Sequence, residues 1–159
     1  MDHTEFLQHL RGLYPDAEFL EHGGTVFVMY DPDGRLLPER TRPFVTVVPD
    51  DAHDTASDLA RPGVYRVNIG VSPDTYRAHF GPPPRTGTDG LVSTGHDFTV
   101  LDTLLPHPVY APMSWVCVLS PSAATVEELQ PLLDEAYARA VQNHAQAGRP
   151  RGPAGTLPG

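Results

Sequence analysis

Three polar residues in the middle of the chain have side chains that could bind a carboxylate or a carbonyl group, and two acids precede them. Arg66 and Asn68 are two residues apart in a stretch that alternates between apolar and polar residues. On a strand they would therefore project from the same sheet face. A guanidinium and a carboxamide side by side can hold a carboxylate or a carbonyl group. Arg61 adds a second cation, and the acids Asp54 and Asp58 precede it.

The same residues also allow a purely structural interpretation. Asp58 can pair with Arg61 and fix the turn between them, while Arg66 packs its aliphatic stem on a solvent-facing sheet surface. The substitution Arg66→Ala distinguishes the two interpretations. Loss of ligand binding with an intact fold would indicate a site, and an unfolded variant would indicate a structural residue.

His107 is the second candidate for chemistry. It lies between two prolines, close in sequence to Tyr110 and Trp115. The stiff backbone can orient the ring, and an imidazole with an ordinary pKa near 6.5 can transfer protons. The alternative is a loop histidine hydrogen-bonded to the backbone. Trp115 has the sequence context of a core residue more than of a cofactor-stacking residue.

These candidates support two hypotheses for the site. In the first, Arg61, Arg66, Asn68, Tyr110 and Trp115 bind a small molecule or a protein partner without catalysis. In the second, an enzyme uses His107 as proton carrier, Asp54 or Asp58 as its partner, and Arg66 as an electrophilic anchor.

Composition excludes several other activities. All eleven basic residues are arginine, so neither a pyridoxal phosphate Schiff base nor a P-loop lysine can form. A net charge of −9 argues against nucleic-acid binding, because that affinity comes from basic residues that release counterions. Neither metal-ligand spacing among the histidines nor a GxGxxG motif occurs. We therefore predict no metal and no cofactor, and an inert, buried Cys117.

Hydrophobic patterning predicts an α+β domain over residues 1–147. The short strands are joined by turns rather than by regular helical crossovers, which favours an antiparallel sheet with helices packed on it. The predicted strands cover 17–20, 25–30, 44–48, 64–71 and 114–119. The predicted helices are one at 4–13, with Asp2 or Thr4 as its cap, and a short one capped by Ser72. A long helix is opened by a capping box of Thr125 and Glu128, and its buried stripe includes Leu129 and Leu133.

Other segments are irregular. Pro131 should kink or interrupt the long helix, and the Gly/Pro-rich residues 148–159 should be disordered. The Gly/Pro/Thr-rich loop 81–97 can be mobile, and a lid role for it stays open. The sequence has neither a secretory signal pattern nor a membrane-length apolar run, which predicts a cytoplasmic protein without membrane contact. Its oligomeric state is not predicted.

Four segments carry a resemblance: FVMYDPDG, RTRPFVTVV, DTASDLARPGVYRVNIGV and LLPHPVYAPMSWVCVLSP. They resemble an actinobacterial family, domain of unknown function 6194, and the match covers residues 5–145. The strand at Trp115–Leu119 and the helix after it are more distantly similar to YjbR/MmcQ proteins. That resemblance implies a curved antiparallel sheet with helices packed at its ends. It also implies DNA binding, which the acidic composition disfavours, and a link to secondary metabolism.

Overall fold

The computed structural model describes residues 1–34 and 42–147. Within these residues the chain forms three α-helices, six strands and a short 3₁₀ helix at Ala111–Met113. The helices are α1 (His3–Leu13), α2 (Pro73–Phe80) and α3 (Ala123–Ala147), and the strands are β1 (Glu18–His22), β2 (Thr25–Met29), β3 (Pro43–Val48), β4 (Arg66–Gly70), β5 (Leu105–Pro106) and β6 (Trp115–Leu119). Each neighbouring pair is antiparallel, in the order β1-β2-β3-β4-β6-β5. The predicted α+β class, a curved antiparallel sheet with terminal helices, is confirmed.

One face of the sheet, called the first face, is apolar and covered by α1 and α3. Val26, Val47, Val67 and Val118 lie opposite one another across four strands, so their side chains share this face. All four are buried in the main core, where they join side chains from both helices, namely Phe6, Leu10, Leu129 and Leu133. The alternation predicted for the strand around Val67 is therefore confirmed.

The opposite face, called the second face, contains a row of residues that are adjacent in sequence to these valines. Phe27, Thr46, Asn68 and Cys117 lie opposite one another in this row. A smaller apolar cluster covers part of the face and consists of Val48, Leu59, Leu105, Cys117 and Leu119, with Val64 packed against it. The second face thus combines polar and apolar residues at its centre.

Helix starts follow the predicted capping chemistry at two of three positions. The Asp2 carboxylate accepts the Glu5 amide at 2.8 Å, and the Ser72 hydroxyl caps α2. The capping box predicted at Thr125 is wrong. The helix begins two residues earlier, because the Ser122 hydroxyl accepts the Thr125 amide.

The remaining differences concern element boundaries. The helix α3 continues through Pro131 without a restart. Strand β6 begins at Trp115 rather than 114, because Ser114 has a left-handed backbone (φ 67°) after the 3₁₀ helix. The predicted disordered tail, 148–159, lies outside the described residues. None of the described helices has both the length and the apolar composition needed to span a bilayer.

Candidate functional site

Arg66 lies at the centre of a buried polar cluster on the second face. Its guanidinium donates to both carboxylate oxygens of Asp54, at 3.0 and 2.8 Å, and to the Ser57 hydroxyl at 2.8 Å. Its Nε donates to the side-chain oxygen of Asn68 at 3.0 Å, and Asn68 in turn donates to the Thr46 hydroxyl at 2.9 Å. The loop after β3 supplies the acid and the serine, and β4 supplies the arginine and the amide.

This cluster changes the interpretation of Arg66. Only 1% of the residue is exposed, so the solvent-facing surface considered for Arg66 and Asn68 is wrong. The guanidinium already has charged and neutral acceptors, and such a bidentate pair fixes geometry strongly. Direct ligand binding by Arg66 stays a prediction, but its contacts join the loop after β3 to the sheet.

The pKa of Asp54 depends on its burial and on its pairing with Arg66. Burial by itself raises the pKa of the Asp54 carboxyl. The hydrogen bonds and the positive charge of Arg66 outweigh the burial and hold that pKa below its ordinary value. Asp54 is therefore a charged structural partner of Arg66.

Asp58 and Arg61 stabilise the loop before β4. Asp58 is exposed and has a left-handed backbone (φ 52°), a conformation that aspartate tolerates in turns. Arg61 donates to the Asp58 carbonyl at 2.8 Å, and its guanidinium also donates to the carbonyls of Ser57 and Thr99. Its ion pair with the Asp58 carboxylate is looser, at 3.6 Å. These contacts agree with the structural interpretation of the pair.

His107 is buried, with 2% of its surface exposed. Its Nδ1 accepts the backbone amides of Val109 and Tyr110 at 3.0 and 2.9 Å. A nitrogen that accepts two hydrogen bonds carries no proton, so the ring proton is on Nε2. Within the described parts of the chain, Nε2 has no hydrogen-bond partner.

The environment of His107 disfavours its protonated form. Burial lowers the pKa of the imidazole to about 3, and the neighbouring charge of Arg66 adds to the effect. The ring is therefore neutral near physiological pH and can donate a hydrogen bond from Nε2. A role as proton carrier stays a prediction, and it would need a ligand that changes this environment.

An open groove of about 850 Å³ runs over the second face and continues toward α3. This volume is within the range of small-molecule sites. The sheet contributes Phe27, Thr46, Asn68 and Gly70, the segment before and at the start of β6 contributes His107, Tyr110, Met113 and Trp115, and α3 contributes Ala136, Arg139, Ala140, Asn143 and His144. Strands β4 and β6 thus bring residues far apart in sequence to one wall.

The Trp115 indole fits into this wall because the residue opposite it, Gly70, has no side chain. Gly70 pairs with Trp115 across β4 and β6, and a Cβ atom at Gly70 would lie only 3.0 Å from the indole. Tyr110 stands beside His107 with ring centroids 5.0 Å apart. Tyr110 and Met113 are 52% and 67% exposed, so the groove has an apolar, accessible rim.

The predicted site residues divide into two groups. Asn68, His107, Tyr110 and Trp115 line the groove, whereas Arg61, Arg66, Asp54 and Asp58 are absent from its lining. Sequence reasoning did not assign a site role to His53, Arg42, Arg139 or His144, which also line it. The spacing of Ala136, Arg139, Ala140 and Asn143 marks one helix face, but such spacing does not distinguish a groove wall from a core.

Across residues 1–34 and 42–147, no three His, Cys, Asp or Glu side chains converge as metal ligands would. Cys117 is fully buried, and burial raises the pKa of its thiol to about 12. It packs in the smaller apolar cluster.

The fold and the groove together define an α+β sheet protein with a ligand-sized open site. The chain belongs to a family of unknown function, DUF6194, whose model matches residues 1–149. Comparison with curated proteins and with solved structures found no match. The actinobacterial origin and the relationship to YjbR proteins stay predictions.

Proposed function

We propose that the protein is a small-molecule-binding module and that the groove on the second face is its site. The observation that supports this most directly is that the Nε2–H of His107, in the groove lining, has no acceptor among the described residues. A bound molecule that supplies an acceptor would form a hydrogen bond with this oriented donor, and that bond would stabilise the complex.

Two further features support a binding role over catalysis. The His107 ring is held neutral, and the neighbouring Asp54 carboxylate is engaged by Arg66. The accessible rim formed by Tyr110 and Met113 resembles the apolar walls of ligand sites, where a few polar groups fix orientation. Secondary metabolism as the setting rests on the similarity to MmcQ-type proteins alone.

Native mass spectrometry of the purified protein tests this proposal. We expect a co-purifying small mass in the wild type that is lost from Tyr110→Ser. The matched control is Leu20→Ser, since Leu20 is 49% exposed but does not line the groove. It should retain the mass.

Trp115 provides an independent readout, because it is the single tryptophan of the chain. A small-molecule extract of the source cells should shift or quench its emission in the wild type. A wild type with neither a bound mass nor a change in emission would contradict the binding function.

A further inference from the structure

The charge of the groove lining differs from that of the whole chain. The chain has twenty acidic and eleven basic residues. Among the described residues that line the groove there is no aspartate or glutamate, whereas Arg42 and Arg139 are present. A cleft lined by one sign of charge concentrates oppositely charged ligands. The two arginines therefore make the described lining more positive than the chain as a whole, which favours an anionic ligand.

The arginines and the His107 donor come from different elements around the groove. Arg139 belongs to α3, and Arg42 immediately precedes β3. His107 follows β5 and lies beside Trp115, whose carbonyl accepts the His107 amide at 3.1 Å. A ligand that contacts both the arginines and this donor needs a negative group at one end and a hydrogen-bond acceptor at the other.

Aromatic side chains and a methionine form much of the rest of the groove lining. Phe27 and Trp115 line it from the sheet, and Tyr110 and Met113 from the rim. Aromatic side chains and methionine bind planar apolar groups well. The middle of the ligand should therefore be an aromatic ring system.

We infer that the groove binds an aromatic carboxylate, with the carboxylate toward Arg42 and Arg139 and an acceptor atom at the far end taking the Nε2–H of His107. This ligand class rests on the proposed function of the groove. It explains the absence of acids from the described lining and the unpartnered donor of His107 together.

Calorimetric titration with three matched probes tests the ligand class. The probes are 6-methoxy-2-naphthoate, its neutral amide 6-methoxy-2-naphthamide, and 2-naphthoate, which lacks the far acceptor. We expect the methoxy carboxylate to bind about tenfold more tightly than the amide, the ratio that one hydrogen bond to a charged group gives. This ratio should fall as salt is added, because the arginines are exposed.

Substitutions test which residues bind the carboxylate end and the acceptor end of the ligand. Arg139→Gln should remove most of the preference for the carboxylate, while Arg77→Gln should not, because Arg77 is exposed on α2 outside the groove. The shorter side chain of His107→Asn should retain an acceptor for the two loop amides but should no longer place an N–H donor at the position of Nε2. It should therefore remove the preference for 6-methoxy-2-naphthoate over 2-naphthoate and keep the preference for the carboxylate.

The outcomes separate this inference from the function on which it rests. Equal binding of all three probes would overturn the aromatic carboxylate and leave a binding groove of another specificity. A carboxylate preference that survives Arg139→Gln and Arg42→Gln together would also overturn it. Failure of every probe to bind or to change Trp115 emission would overturn the ligand class, whereas the binding function would fall only if native mass spectrometry and the titration with cell extract were negative as well.

Discussion

The two faces of the sheet bury different kinds of side chain. The first face is a row of valines covered by α1 and α3, so its burial is apolar on both sides. The second face buries an arginine, an asparagine and a histidine. Burying such groups is costly unless each finds a partner. The same five-residue strand, β4, supplies side chains to both faces.

The difference shows where function can reside on this fold. At one part of the second face, Arg66, Asp54, Ser57 and Asn68 satisfy one another. At the neighbouring part, His107 retains a donor without a partner among the described residues. The first arrangement joins the loop after β3 to the sheet, whereas the second leaves a donor in the lining of the proposed groove.

The largest effect should come from removing the charge at the centre of the cluster. Arg66→Ala leaves the Asp54 carboxylate largely buried without its cation, a change that typically costs about 3–5 kcal/mol. We expect the free energy of unfolding, measured by urea denaturation, to fall by that amount.

The double variant Arg66→Met/Asp54→Leu is the control. It removes both charges and should be more stable than Arg66→Ala, because no uncompensated charge stays buried. If Arg66→Ala instead lost under about 1 kcal/mol and abolished binding, Arg66 would be a ligand group, and the distinction within the second face would be wrong.

A truncation on the first face should cost somewhat less. Leu133 is fully buried against the valine row, and Leu133→Ala should lower the free energy of unfolding by about 3 kcal/mol through lost burial and a cavity. Probe binding to the groove should not change in the folded variant. A similar loss of stability with strongly weakened binding would indicate that the two faces are coupled.

Much of this first face was predictable from the sequence. Alternation placed Val67 and Ile69 on one side of their strand, and the spacing of Leu129 and Leu133 indicated the buried stripe of the last helix. Both patterns depend only on the local repeat of the backbone, 2 residues for a strand and 3.6 for a helix. Capping was less certain, since Ser122 and Thr125 both fit the chemistry and only the chain path selects Ser122.

The second face was predictable only in part. Arg66 and Asn68 could be assigned to one face, but alternation does not distinguish a solvent-exposed surface from a buried cluster. Burial of Arg66 depends on Asp54, which reaches it across a loop. The contribution of Arg139 depends on how α3 lies beside β3, which is a tertiary feature without a local signal.

The pH dependence of stability should depend on His107. Its pKa is about 6.5 in the unfolded chain and about 3 in the folded protein. Between these values the unfolded state binds the extra proton, so the wild type should lose stability as pH falls below about 6.5.

The variant His107→Asn isolates this contribution, since the other titrating groups are unchanged. Its loss of stability per pH unit below pH 6 should be smaller than in the wild type by up to about 1.4 kcal/mol. Urea unfolding at several pH values measures the difference. Parallel profiles for the two proteins would mean that His107 titrates normally and is accessible, which would remove the basis for a neutral donor in the groove.

The smallest effect on stability should come from the rim. Met113 is 67% exposed, so Met113→Ser should change the free energy of unfolding by less than about 0.5 kcal/mol. Because Met113 lines the groove, the same substitution should weaken the binding of 6-methoxy-2-naphthoate several-fold. Val100→Ser is the matched control, since Val100 is exposed outside the groove and should leave binding unchanged.

This pair of variants separates stability from binding more clearly than any buried position can. A residue that stabilises the fold through burial must affect the unfolding free energy when it is truncated, and Met113 has little burial to lose. If Met113→Ser weakens binding at constant stability, the exposed rim contributes to ligand binding and not to the stability of the fold. If it changes neither, the rim is ordinary surface, and recognition must come from His107, Trp115 and the cationic end alone.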